Sequence, residues 1–163
     1  MQSIQLDKKK HDRKAFDCGV EALNNYLKLM ANQHSARDNS RTYVIEDAEG
    51  KIMGFYTLAM VNIDLALLPQ DKQSKHGKSM QTGTIARLAV DKRYTQKGYG
   101  KWLLVDALLK LLQASDIVAF PMIVVDAKNG MEDFYTQFGF TAFADKEHKL
   151  FISVADVRKS FGD

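Results

Sequence analysis

The segment Arg87 to Leu104, RLAVDKRYTQKGYGKWLL, is a short β-type run, a basic turn carrying Gly98 and Gly100, and the start of an amphipathic helix. The opening N–H groups of a helix lack intrahelical acceptors and the helix dipole is positive there, so this order of elements builds a place for an anion. A pyrophosphate is the expected occupant. Its cradle would be the backbone of Thr95, Gln96, Lys97, Gly98, Tyr99, Gly100 and Lys101. A glycine pair alone is also what any tight turn needs, so the turn requires company to carry weight.

Other site chemistries lack their residues. His11, His34, His76 and His148 are scattered without ligand spacing, and there is no HExxH, GxSxG, GxxxxGK[ST] or GxGxxG. No metal is expected. Cys18 is the single cysteine, which excludes an intrachain disulfide and a thiolate metal cluster, and it reads as a small, partly buried core residue.

The elements that must position the turn follow from patterning. Asp17 is a candidate N-cap for a helix from about Val20 to Gln33, with Val20, Leu23, Leu27 and Met30 at helical spacing and Tyr26 and Leu29 widening the face. Arg41 to Glu46 reads as a strand, DAEGK at Asp47 to Lys51 as a turn, and Ile52 to Ile63 as a second strand, together a hairpin. Asp64 to Gln81 is polar and lysine-bearing, longer than an ordinary connection. Thr82 to Val90 resumes as a strand, and Leu103, Leu104, Ala107, Leu108, Leu111 and Leu112 give the following helix a wide apolar stripe. Phe120 to Asp126 has the near-continuous apolarity of a strand covered on both faces. Asn129 can cap a short helix through about Phe138 that Gly139 ends, and Phe140 to Phe143 and Lys149 to Val154 finish as strands. The chain is therefore expected to be an α/β domain with N-terminal helical structure, a β-hairpin and a central strand–turn–helix–strand crossover.

With 163 residues, 45% of them hydrophobic, the chain can bury one substantial core, and no linker-like stretch divides it, so a single domain over residues 1–163 is expected. No run approaches the roughly eighteen apolar residues of a membrane helix, and the N-terminal stretch lacks an apolar signal region, which points to the cytoplasm. The formal charge is only +3, from 23 Lys and Arg against 20 Asp and Glu, so net charge does not itself announce a nucleic-acid binder. The cations are nevertheless clustered, around Lys8 to Lys14, at Arg37 and Arg41, at Lys72 to Lys78, and from Arg87 to Lys101. Solvated faces look the same.

Company for the turn comes from VVDAKNGMEDFYTQFGF at Val124 to Phe140. With Arg87 to Leu104 it resembles the acyl-CoA-binding core of the GNAT superfamily of N-acetyltransferases. TQKGYG at Thr95 to Gly100 stands in place of [Q/R]xxGxG/A, and FYTQFGF at Phe134 to Phe140 in place of an FYxxxGF-like segment. The resemblance implies a GNAT-like mixed twisted sheet with a central β-turn-α-β unit, and acetyl-CoA as cosubstrate. It also implies Leu88, Ala89, Val90, Asn129 and Phe134 as further cofactor contacts. Thr95 replaces the usual Gln or Arg, and Gln96 fills a place often given to Gly. Because the cradle uses backbone donors, binding is expected to survive with an altered affinity.

FDCGVEALNNYLKLMANQH at Phe16 to His34, SRTYVIED at Ser40 to Asp47, GFYTLA at Gly54 to Ala59, and GTIARLAVDKRYTQKGYG extend the similarity to one branch. These segments resemble the acetyltransferase toxins of type II toxin–antitoxin modules, over about residues 4 to 154. The resemblance implies transfer of acetyl to the free α-amino group of aminoacyl-tRNA, arrest of translation, a ribbon–helix–helix antitoxin as partner, and a homodimer.

The residues can be weighed against that chemistry. Lysine, with a pKa of about 10.4, benefits from a general base before it attacks a thioester, whereas an α-amine at about 7.7 to 8.0 is already partly neutral near pH 7. Thr82 to Val90 carries no acid before Asp91, consistent with an acceptor that needs no base. Asp126 reads as a strand-end residue. Tyr135, placed by the resemblance near the sulfur of CoA, is the candidate acid for the leaving thiolate, and the N–H of Leu88 or Val90 the candidate donor to the thioester carbonyl. For tRNA phosphates the candidates are Lys28, Arg37, Arg41, Arg87 and Arg93, with Arg87 alternatively bracing local groups. An acetyltransferase for a small amine or protein lysine, and a non-catalytic partner of a ribbon–helix–helix protein, remain as alternatives.

Overall fold

The computed structural model describes residues 1–64, 66, 78–128, 130–144, 146 and 148–162. In chain order the elements are β1 (Ile4–Gln5), α1 (Glu21–Asn25), a π-helical turn (Tyr26–Met30), α2 (Ala31–Ala36), β2 (Arg41–Glu46) and β3 (Ile52–Asp64). They continue with β4 (Ser79–Val90), a 3-10 turn (Lys92–Tyr94), α3 (Tyr99–Ile117), β5 (Met122–Asp126), α4 (Glu132–Thr136), β6 (Thr141–Ala142), β7 (Lys149–Ser153) and α5 (Val154–Ser160). Among the described residues seven strands form one mixed sheet in the order β1-β2-β3-β4-β5-β7-β6. The β4–β5 pair is parallel, as a crossover through α3 requires. The chain is compact in two units, Met1–Ala59 with Ala86–Leu108, and Met60–Ile85 with Leu109–Asp163.

In the first unit, β2 and β3 form the expected hairpin, in register from Arg41 opposite Leu58 to Ile45 opposite Gly54. Asp47 shapes its turn by accepting from the N–H groups of Glu49 and Lys51, both at 2.9 Å. Phe16, Tyr26, Leu27, Ala31, Val44, Ile52, Phe55 and Ala89 make the core. The N-terminal helix departs from the periodicity that suggested it. The π-helical turn inserts extra backbone, which rotates the apolar face. Tyr26, Leu27 and Ala31 go inside while Leu29 and Met30 are exposed. Asp17 is not its N-cap: that place belongs to Val20, which has no side-chain capping bond. The Asp17 carboxylate is instead spent on the Gly19 N–H and the Asn24 amide, both at 2.9 Å.

The second unit holds the parallel ladder from Thr82 opposite Met122 to Ile85 opposite Val125, and β5 pairs β7 antiparallel on its other side. Met122 to Val125 are all buried, matching the apolar run. Strands β3 and β4 are longer than their patterning indicated. Asp64 and Ser79 to Gln81 belong to strands, and residues 65 and 67–77 of the intervening stretch lie outside the described residues. The sequence reading missed β1 and α5. The latter has a cap signal, since the Ser153 hydroxyl accepts from the Asp156 N–H at 3.0 Å in the pattern S-x-x-D.

Candidate active site

Asp91 starts the glycine turn. It is 2% exposed. Its Oδ1 accepts from the N–H and Nε of Arg93, both at 2.9 Å, and its Oδ2 from Arg93 Nη2 at 3.2 Å. Burial opposes the charged form, but these donors and the Asp17 N–H outweigh it and hold the carboxyl below its usual range. The Tyr94 hydroxyl then donates to Asp47 Oδ2 at 2.6 Å, fastening the turn to the hairpin loop. Gln96 and Gly98 follow with left-handed φ of +62° and +86°. The Trp102 N–H returns to Gly98 O at 3.0 Å. No acceptor among the described residues takes the N–H groups of Tyr99, Gly100 and Lys101, and a Cβ on Gly98 would meet nothing within 4 Å. An open turn with unspent backbone donors at a helix start fits the pyrophosphate of acetyl-CoA. Position 96 keeps a glycine-like conformation without glycine, at a cost of the order of 1 kcal/mol.

Upstream of the turn, β4 continues through Leu88, Ala89 and Val90, beyond the ladder with β5, which ends at Ile85. The backbone donors of residues 86–90 are therefore not used by β5. Gly54 allows the close approach here: a Cβ would stand 2.8 Å from Leu103 Cδ1 and 2.9 Å from Ala89 O.

In the second unit, Tyr135 sits in α4 with its ring buried, edge-on to Phe134 (5.1 Å) and Phe140 (5.5 Å). Burial, and secondarily the charge of Asp126, push its pKa above the ordinary phenol value, so it stays protonated. Its hydroxyl has no hydrogen-bond partner among the described residues. Asp126 lies opposite Lys149 in the ladder, with Oδ2 3.7 Å from Lys128 Nζ and 3.8 Å from Lys149 Nζ, as suits a strand-end residue. The expected cap Asn129 lies outside the described residues, and α4 starts after Met131 without a side-chain cap. Sequence reasoning missed His148, whose ring pairs with Glu132 on α4 and whose carbonyl accepts from the Ala127 N–H. Only the fold brings those residues together.

Residues 38–142 match the acetyltransferase (GNAT) domain family. The chain belongs to the GNAT acetyltransferases. It is 31% identical to a probable toxin TacT of Sinorhizobium fredii, over 96% of this chain and 93% of that protein. It is 29% identical to a tRNA-acetylating toxin of Mycobacterium tuberculosis, over 93% and 92%. Among solved structures, a tyrosine-to-phenylalanine variant of KacT superposes with a TM-score of 0.90 at 27% identity, covering 98% of each chain. AtaT complexed with acetyl-methionyl-tRNAfMet gives 0.88 at 28% identity, also covering 98% of each. AtaTR bound with acetyl-CoA gives 0.85 at 29% identity, over 98% of this chain and 97% of that one.

The basic residues of this GNAT chain divide by what they already hold. Arg93 spends three donors on Asp91. Arg41 donates from Nη1 to Ser35 O (2.9 Å) and Ser40 O (3.1 Å) and from Nη2 to Asp38 (2.5 Å), bracing the chain between α2 and β2. Lys28 is half-buried and Arg37 exposed, and neither side chain has a partner among the described residues. The Arg87 guanidinium lies 3.7 Å from the centre of the Tyr26 ring. Among the described residues no group of three or more His, Cys, Asp or Glu could hold a metal, and no helix is long and apolar enough to cross a membrane.

Proposed function

We propose that this protein moves the acetyl group of acetyl-CoA to the α-amino group of aminoacyl-tRNA and thereby blocks translation as the toxin of a toxin–antitoxin pair. The observation that carries this reading is the near full-length likeness to AtaT complexed with acetyl-methionyl-tRNAfMet. The relatives called probable toxin TacT and tRNA-acetylating toxin support it. A ribbon–helix–helix antitoxin as partner, a homodimer and a cytoplasmic site of action belong to the same reading. The likeness to an AtaT variant bound to the C-terminus of the antitoxin AtaR supports a partner of antitoxin type.

Acetyl-CoA, when bound, supplies an activated acetyl thioester. The backbone of Thr95 to Lys101 would hold its pyrophosphate, with Leu88, Ala89, Val90 and Phe134 as further contacts, while Asn129, given the same role by the resemblance, lies outside the described residues. The N–H of Leu88 or Val90 polarises the thioester carbonyl. Tyr135, a phenol protonated at neutral pH, donates a proton to the departing thiolate. No residue of β4 from Ser79 to Val90 is acidic, which suits an α-amine that is partly neutral without a base. Lys28, Arg37 and Arg87 meet tRNA phosphates. Arg41 and Arg93, with their donors engaged inside the chain, contribute longer-range field.

Incubation with charged total tRNA and labelled acetyl-CoA tests the reading. Label should appear on the aminoacyl moiety of tRNA. Label on free amines or protein lysines in place of tRNA would replace it with an ordinary acetyltransferase.

A further inference from the structure

We propose that Tyr26 is a positioning residue that holds the Arg87 guanidinium ready for a phosphate of the tRNA, a proposal that rests on tRNA being the substrate. Tyr26 is 2% exposed, and Arg87 Cζ stands 3.7 Å from its ring centre, within cation–π range. The ring cannot easily turn away. Its hydroxyl is 3.2 Å from the buried Ser40 Oγ and 3.4 Å from His34 Nδ1, and the His34 ring meets it edge-on at 5.5 Å. Tyr26 also opens the π-helical turn, in which it and Leu27 are both buried. Single π-helical turns of this kind recur at functional sites.

Arg87 is half-buried, yet among the described residues its guanidinium has no hydrogen-bond acceptor and no ion pair with a carboxylate within 4 Å. A partly desolvated guanidinium without an anion is costly unless the anion arrives with a ligand. Stacking leaves its edge free, which is the geometry that takes a phosphate in two parallel hydrogen bonds. The contrast with Arg93 is direct, since Arg93 is neutralised by Asp91 within its own turn. Both CoA and tRNA carry phosphates. The tRNA is favoured because the one side chain seen against the Arg87 guanidinium, Tyr26, belongs to the π-helical turn and is itself held by His34 of α2 and by Ser40. The unpartnered cations Lys28 and Arg37 lie in that same stretch, whereas the pyrophosphate cradle is built from residues 95–101.

The test measures aminoacyl-tRNA affinity over a salt series and acetyl-CoA affinity in parallel, with melting curves for each variant. Arg87→Gln should weaken tRNA about tenfold and reduce the salt slope by about one. Arg87→Lys should keep the slope and still bind several-fold more weakly, because lysine cannot stack. Tyr26→Leu should weaken tRNA about fivefold, Tyr26→Phe should restore binding to within about twofold, and Tyr26→Leu should add nothing to Arg87→Gln. If Tyr26→Leu does not fold, the Arg87 variants and Tyr26→Phe still decide. Unchanged tRNA affinity and slope in Arg87→Gln would overturn the proposal, as would a loss confined to acetyl-CoA. Wild-type acetylation of charged tRNA, read in the same preparation, separates these outcomes from failure of the substrate assignment.

Discussion

The Asp17 backbone N–H donates to Asp91 Oδ2 across 3.0 Å, and the return bond runs from the Lys92 N–H to Asp17 O at 2.9 Å. The loop ahead of the first helix is thus hooked to the residue that opens the glycine turn. Lys92 Nζ adds an ion pair to the Asp17 carboxylate at 3.1 Å. Asp91→Asn keeps the shape of the side chain but loses the charge that gathers Arg93. It should destabilise the protein by about 1–3 kcal/mol and weaken acetyl-CoA, measured by denaturant titration and calorimetry.

The same hook sets a pH dependence. The Gly19 N–H, then the Asn24 amide and Lys92, lower the Asp17 pKa to about 2. A carboxylate depressed on folding stabilises the native state fully above its unfolded value of about 3.9, and that contribution disappears as pH falls through the folded value. Stability should therefore decline between about pH 4 and pH 2, and Asp17→Asn should flatten that segment of an acid titration. An unchanged profile in the variant would remove Asp17 from the account.

Tyr135→Phe removes only the hydroxyl from a ring packed between Phe134 and Phe140. Under the proposed mechanism kcat should fall by about 10²–10⁴-fold while acetyl-CoA affinity stays close to wild type. Because burial raises the phenol pKa, the wild-type rate should show no fall from Tyr135 ionisation as pH approaches 10. Full turnover in the variant would dismiss the assignment.

Much of this arrangement was legible in the sequence because it is locally encoded. The β2–β3 hairpin follows from alternation around DAEGK, β5 from an unbroken apolar run, and the turn ahead of α3 from its glycines. What was not legible depends on distant partners. Nothing near Tyr26 signals the π-helical turn that puts Ala31 inside and Met30 outside, where Ala31 shares a core with the distant Phe55 and Val44. Arg41 and Arg93 look like surface cations until the fold delivers Ser35, Asp38 and Asp91 to them. Asp17 has the spacing of a helix cap, but Gly19 and Asn24 compete successfully for its oxygens.

Arg37 and Arg41 should separate phosphate contact from bracing. Arg37→Ala removes an exposed cation without partners among the described residues, so the melting temperature should hold while tRNA affinity and its salt slope fall. Arg41→Ala leaves Ser35 O, Ser40 O and Asp38 without their donor, and should cost about 1–2 kcal/mol of stability. Thermal melts alongside salt-dependent tRNA binding distinguish the two.

Gly54 is the position where a single methyl group should do most damage to the cradle's support. An alanine Cβ would overlap both Leu103 and the Ala89 carbonyl, and the latter is backbone of the strand that precedes the turn. Relief through Leu103 alone leaves the 2.9 Å approach to the carbonyl, so β3 or β4 must shift. Gly54→Ala should lower stability by about 1–3 kcal/mol. It should also weaken acetyl-CoA binding, because Asp91 N–H is anchored on Met53 O at 2.8 Å, next to the substituted residue. Gly98→Ala provides the comparison. It has open space but a φ of +86°, so it should strain the turn and weaken acetyl-CoA with little effect on the denaturation of the remaining core.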